Sequence, residues 1–141
     1  MQKKEFRRRR GFTLVEIMVV VVILVMLASI ATPLVMRHLK TSRIATAKTQ
    51  IAMLTQALND YKLDTGDYPE ELDALIENVE NDSKWDGPYI TPAVPQDPWG
   101  NDYVYVKPGD YGEFDLLSYG KDGRSGGEDE DADITNYVIK D

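Results

Sequence analysis

Six carboxylates fall within twelve residues of this chain: Asp122, Glu128, Asp129, Glu130, Asp131 and Asp133. Gly120, Gly123, Gly126 and Gly127 are interleaved with them. Bare carboxylates at this density repel one another. A hard cation such as calcium takes six to eight oxygen ligands, and carbonyls exposed by glycine turns could complete such a set. Spacing alone leaves two readings open, a cation site or a solvated acidic loop. Asp129, Asp131 and Asp133 mimic the start of an EF-hand. The sixth position is then Ile134 and the twelfth Lys140, where Gly and Glu are needed, so the loop is not one. A second carboxylate stands out for its surroundings. Glu16 lies at the start of an apolar run, where an acid costs up to about 2.5–3.5 kcal/mol at the membrane centre and less near the interface. No nucleophile elbow, phosphate loop or His/Cys ligand pair is present, and no apolar pocket is evident to tune paired carboxylates. The chemistry points away from catalysis.

The segment that positions Glu16 reads Arg7-Arg8-Arg9-Arg10-Gly11-Phe12-Thr13-Leu14-Val15-Glu16, followed by Ile17 to Met36 without a charge. About 20 such residues cross about 30 Å of hydrocarbon as a helix. The first eleven residues carry a net +5, which leaves −13 for the rest of a chain whose formal net charge is −8. The basic leader therefore stays in the cytoplasm and the chain after Met36 crosses the membrane. The acidic bulk argues against a nucleic-acid role, which needs clustered Lys and Arg on the folded part. An ordinary secretory signal cleaved after Ser29-Ile30-Ala31 would have too long an apolar region, interrupted by Glu16. A plain membrane anchor explains the length and not Glu16. His38, the single histidine, is read as an interfacial polar residue.

Beyond Met36 the helical pattern turns amphipathic. Ala47, Ile51, Leu54, Leu58 and Tyr61 form one apolar stripe, and Thr65-Gly66-Asp67-Tyr68-Pro69 stops the helix. Pro33 lacks an N–H and is expected to kink or open the helix locally. Pro69 is expected to start a short second helix whose apolar face is Leu72, Leu75, Ile76 and Val79. Strands are expected over Tyr103–Val106 and Phe114–Tyr119, with a short third over Tyr137–Ile139. The expected fold is α+β: a long N-terminal helix, membrane-spanning in its first half, packed on a small antiparallel sheet with a loop-rich C-terminal region. Its divisions are a leader (1–11), a membrane or filament-core helix (12–36) and a periplasmic domain (37–141). Trp85, Trp99 and the tyrosines are read as core and loop pins rather than a carbohydrate-binding face. No cysteine exists to close a loop.

The Gly-Phe-Thr-Leu-Val-Glu junction after four arginines resembles the class III signal of type IV pilins and pseudopilins. Tyr68-Pro69, Trp85 with Gly87-Pro88-Tyr89, Asp97-Pro98-Trp99-Gly100 and Ser118-Tyr119-Gly120-Lys121-Asp122-Gly123 are similar to the pattern of the major pseudopilin of type II secretion. The segment after Pro69 departs from that pattern. The resemblance implies a pilin-like fold and cleavage between Gly11 and Phe12 by a prepilin peptidase, with N-methylation of Phe12. It implies pairing of the new Phe12 ammonium with Glu16 of a neighbouring copy during assembly. It also implies a calcium site in the acidic loop. The side-chain ligands assigned here are Asp122, Asp131 and Asp133, ahead of Glu128 and Asp129, with carbonyls near Leu117 and Ser118. The expected protein is a single-pass subunit of the bacterial inner membrane. It forms a homo-oligomeric helical filament with minor pseudopilins and an inner-membrane assembly platform, and the filament helps export folded proteins. Two rival readings are a type IV pilin or minor pilin-like subunit for adhesion, motility or DNA uptake, and a soluble exported calcium-binding module. A mature start at Phe12 favours pilin-type processing, and one at Thr32 favours signal peptidase.

Overall fold

The computed structural model describes residues 11–138, so the leader through Arg10 and the expected strand residue Ile139 lie outside the described residues. The chain divides into two compact units, one ending at His38 and the other beginning at Leu39. Helix α1, Leu14–Thr65, contributes to both.

In the first unit Thr13 caps the helix: its Oγ1 accepts the Glu16 N–H at 3.2 Å. Thr13 and Glu16 have the spacing of a capping box, and an acid in the first turn suits the positive end of the helix dipole. Every large apolar side chain from Leu14 to Met36 is exposed. The stretch is long and apolar enough to cross a membrane. The helix continues through Pro33 without ending there. Nearby hydroxyls bond back to the helix, Ser29 to the Met26 carbonyl at 2.7 Å and Thr32 to the Ala28 carbonyl at 2.7 Å.

The second unit is built on the remaining turns of α1. Ala47, Ile51, Leu54, Leu58 and Tyr61 are all buried, as the stripe predicts, and Ala57 joins them. Strands β1 (Val104–Val106), β2 (Asp115–Ser118) and β3 (Ile134–Thr135) form an antiparallel sheet in that order. Tyr105 pairs with Leu116, and Ser118 with Ile134. Leu116, fully buried, belongs with Phe114, Tyr103, Ile134 and the helix stripe to one core. Trp85 and Trp99 pack against it.

Two expected elements differ. The second helix shrinks to one 3-10 turn, Leu72–Leu75. The Leu75 carbonyl, which a longer helix would use, instead accepts the Tyr89 N–H at 2.7 Å and the Ile90 N–H at 3.4 Å. Trp85 Nε1 takes the Ala74 carbonyl at 2.8 Å. Tertiary donors thus replace helical ones. The third strand lies at Ile134–Thr135, not at Tyr137–Ile139. Asn136 ends it: its N–H donates to the Leu116 carbonyl at 2.9 Å and its Oδ1 accepts the Leu116 N–H at 2.8 Å. Tyr137 leaves the sheet and stacks on Tyr111, with ring centroids 4.2 Å apart.

Candidate functional site

Two stretches carry the predicted functional residues, one in each unit. At the N-terminal stretch Gly11 precedes the helix, and a Cβ there would meet nothing within 4 Å. The fold itself therefore does not demand glycine at 11. Phe12 is 78 % exposed and Glu16 is exposed. The described chain places no side-chain partner on the Glu16 carboxylate, while its backbone N–H is tied to Thr13.

The loop after β2 is held by its own chemistry. Gly120 has φ +68° and Gly127 φ +93°. A Cβ on Gly120 would run into the Glu130 carbonyl, and one on Gly127 into the Asp131 carbonyl, so both positions need glycine. The Lys121 N–H donates to the Glu130 carbonyl at 2.8 Å, and Asn101 Nδ2 to the Gly120 carbonyl at 2.9 Å. These bonds close the loop that no disulfide can close.

Within it four of the six carboxylates take distinct partners. Asp122 Oδ1 accepts the Arg124 N–H at 3.1 Å. Asp133 accepts the Gly126 N–H at 3.0 Å and the Ser125 hydroxyl at 3.4 Å. Asp129 pairs with Lys40 at 3.6 Å on the surface. Glu130 alone is buried. It accepts from Arg43 at 3.4 Å and from Trp99 Nε1 at 3.3 Å. Burial would raise its carboxyl pKa, but the Trp99 and Arg43 hydrogen bonds, with the charges of Lys121 and Arg43, hold it below its ordinary value. Among the described residues no group of three or more His, Cys, Asp or Glu side chains could hold a metal. Asp122, Asp131 and Asp133 are therefore not gathered into one cluster. Asp122 and Asp133 both fold turns of the same loop, and oxygen is the only donor type there. Oxygen is the donor type a hard cation takes, so the donor chemistry fits such an ion.

Comparison with known proteins decides the family. The profile of the type II secretion system protein G family matches residues 34–137. The chain belongs to the type II secretion system protein G family. The prokaryotic N-terminal methylation motif matches residues 6–32. The chain is 44 % identical over 144 residues to type II secretion system core protein G of Vibrio cholerae, covering 98 % of each. It is 45 % identical over 141 residues to core protein G of Escherichia coli K12, covering 94 % of this chain and 93 % of the other. Among solved structures it is similar to the major pseudopilin of the type 2 secretion system of enterohaemorrhagic Escherichia coli. The TM-score is 0.57 and the identity 34 %, covering 72 % of this chain and 91 % of that one. The long apolar helix with a small antiparallel sheet is thus the fold of this secretion family.

In this core protein G relative, Glu130 and Asp97 are two of three buried acids among the described residues, with Asp115, that organise the loops. In sequence Glu130 is one acid among six, yet it is the anchor between the loop, α1 and Trp99. In sequence Asp97 is only part of a turn. Its Oδ1 accepts the Trp99 N–H at 3.0 Å and the Asn101 N–H at 2.8 Å, and its Oδ2 accepts the Ser118 hydroxyl at 2.6 Å. The Asp-Pro-Trp-Gly run signals a turn in sequence. Nothing local signals that its acid reaches across to β2.

Proposed function

We propose that this chain is the repeating structural subunit of a type II secretion pseudopilus, a filament that helps drive export of folded proteins. One observation carries the reading: the apolar side chains from Leu14 to Met36 are all exposed, on a helix that runs on into a folded acidic unit. An apolar surface of that length is stable only in lipid or packed among other helices. A subunit that waits in the inner membrane and then stacks helix on helix meets both conditions in turn. The folded unit would lie in the periplasm, with minor pseudopilins and an inner-membrane platform as assembly partners.

On this reading a prepilin peptidase cuts between Gly11 and Phe12 and Phe12 is then N-methylated. Family membership and the matched methylation motif support that processing. Gly11 is open in this fold, so the demand for a small residue there comes from the peptidase. Cleavage creates an ammonium at Phe12. Glu16 of the adjacent copy neutralises it, and two costly charges become one buried pair. Calcium would be held in this loop by carboxylates of Asp122, Asp131 and Asp133 with carbonyls of the same loop. Bound there, it would supply positive charge to an acidic turn and fix its conformation. The test is expression with the other secretion genes, followed by shearing and electron microscopy. Filaments built of this chain support the reading, and their absence in a secreting strain contradicts it.

A further inference from the structure

An open groove of about 480 Å³ lies between the Leu72–Leu75 turn, the 93–95 stretch and strand β1. Half-buried Leu72, Ile76 and Val94 give it an apolar lining, and exposed Glu71, Asp73 and Asp102 give it negative charge. Glu70 also lines it and pairs with Lys107 at 3.0 Å, and Asp102 accepts from Gln96 at 3.0 Å. Among the described residues Glu71 and Asp73 have no ion-pair partner, and no Lys or Arg lines the groove. The surrounding sequence deepens the field: from Asp60 to Asp86 the only cations are Lys62 and Lys84, and Lys62 is already paired with Glu113. The groove therefore favours a cationic side chain with an apolar stem.

The same unit presents one. Arg124 sits on an exposed turn whose backbone is fixed from two sides, by Asp122 at the Arg124 N–H and by Asp133 at the Gly126 N–H. A Cβ on Gly126 would meet nothing within 4 Å, so the turn stands clear of the domain. The Arg124 guanidinium has no partner among the described residues. A preset turn loses little entropy on docking, and a guanidinium binds carboxylates in a two-pronged fashion.

We propose that this groove receives Arg124 of a second copy of this chain, which makes it a contact of the filament. No residue of the 121–127 turn lines the groove of its own chain, so the arginine enters from another copy. Groove and turn are different surfaces, and in a filament the contact is heterologous and repeats head to tail into an open assembly. The inference rests on the pseudopilus reading and adds which surfaces meet.

Ala93 lines the groove, Ser125 neighbours Arg124, and the chain has no cysteine of its own. The Ala93→Cys, Ser125→Cys double variant keeps every charge. Oxidised in cells that assemble filaments, it is expected to yield a ladder of linked copies, with neither single variant exceeding a dimer. Arg124→Glu is expected to cut filament yield by about tenfold, the effect of one lost strong contact, and adding Asp73→Arg is expected to restore it. Filaments without a ladder, or full yield from Arg124→Glu, overturn the groove assignment alone. No filaments from the unaltered chain overturn the pseudopilus reading, and this inference with it.

Discussion

Glu16 and Glu130 are both acids in apolar company, and the chain treats them oppositely. Glu130 has its cation inside the folded unit. Its pKa is lowered, so its contribution to stability is complete above the unfolded carboxylate pKa and is lost as pH falls through the lower folded value. Glu130→Gln in the full chain in detergent is expected to lower the melting point at neutral pH and to shrink that gap under acid conditions, measured by thermal melts across pH 3–7. Glu16 has no such cation among the described residues, and on the proposed reading the Phe12 ammonium of a neighbouring copy supplies it. Glu16→Val is expected to leave cleavage normal and to reduce filaments to few or none. Abundant filaments would refute the pairing. Burial, and then the hydrogen bond to Glu80, push the Tyr61 hydroxyl up to about 12. Its stabilising effect is whole below the unfolded value of about 10 and is lost as pH climbs through the folded one. Tyr61→Phe is expected to flatten the decline in melting point between pH 10 and 12.

At the scale of elements, the helix stripe was legible because one face had to be covered: Ala47 through Tyr61 recur at helical spacing, and all are buried. β1 and β2 were legible from short apolar runs between turns. The second helix was not, since Trp85, Tyr89 and Ile90 donate to carbonyls that a local pattern would assign to helix. β3 was misplaced by three residues because Asn136, a side chain, substitutes for the ladder. The acidic loop was legible as a cluster and not as a set of separate jobs, because burial of Glu130 depends on Arg43 and Trp99, both remote in sequence. Gly120→Ala combines a left-handed backbone with a collision, and is expected to cost about 2 kcal/mol or more, read as a lower midpoint in urea unfolding. If calcium is held by this loop, it adds about 2.7 kcal/mol at a hundredfold excess over Kd. A melting point of the full chain that rises by several degrees with calcium, and not with equal magnesium, is the expected result. A melting point indifferent to calcium, or unaltered responses in both Asp122→Ala and Asp133→Ala, would leave the loop merely solvated.

For the whole molecule, the charge split and the apolar segment are readable along the sequence, and they fit a single-pass membrane-anchored component with one acidic folded unit. The assembled state was readable only in part. A helix with no cover of its own requires lipid or neighbouring helices, and sequence does not say which surfaces meet. On the proposed reading this chain is cut after Gly11 and built into a filament through the exposed helix that follows. Mass spectrometry of sheared filaments tests it most directly. The account predicts filaments composed mainly of this chain, with a first peptide that begins at Phe12 and carries one added methyl group. Filaments lacking this chain, or a mature chain that begins at Thr32 or retains Met1, would contradict it.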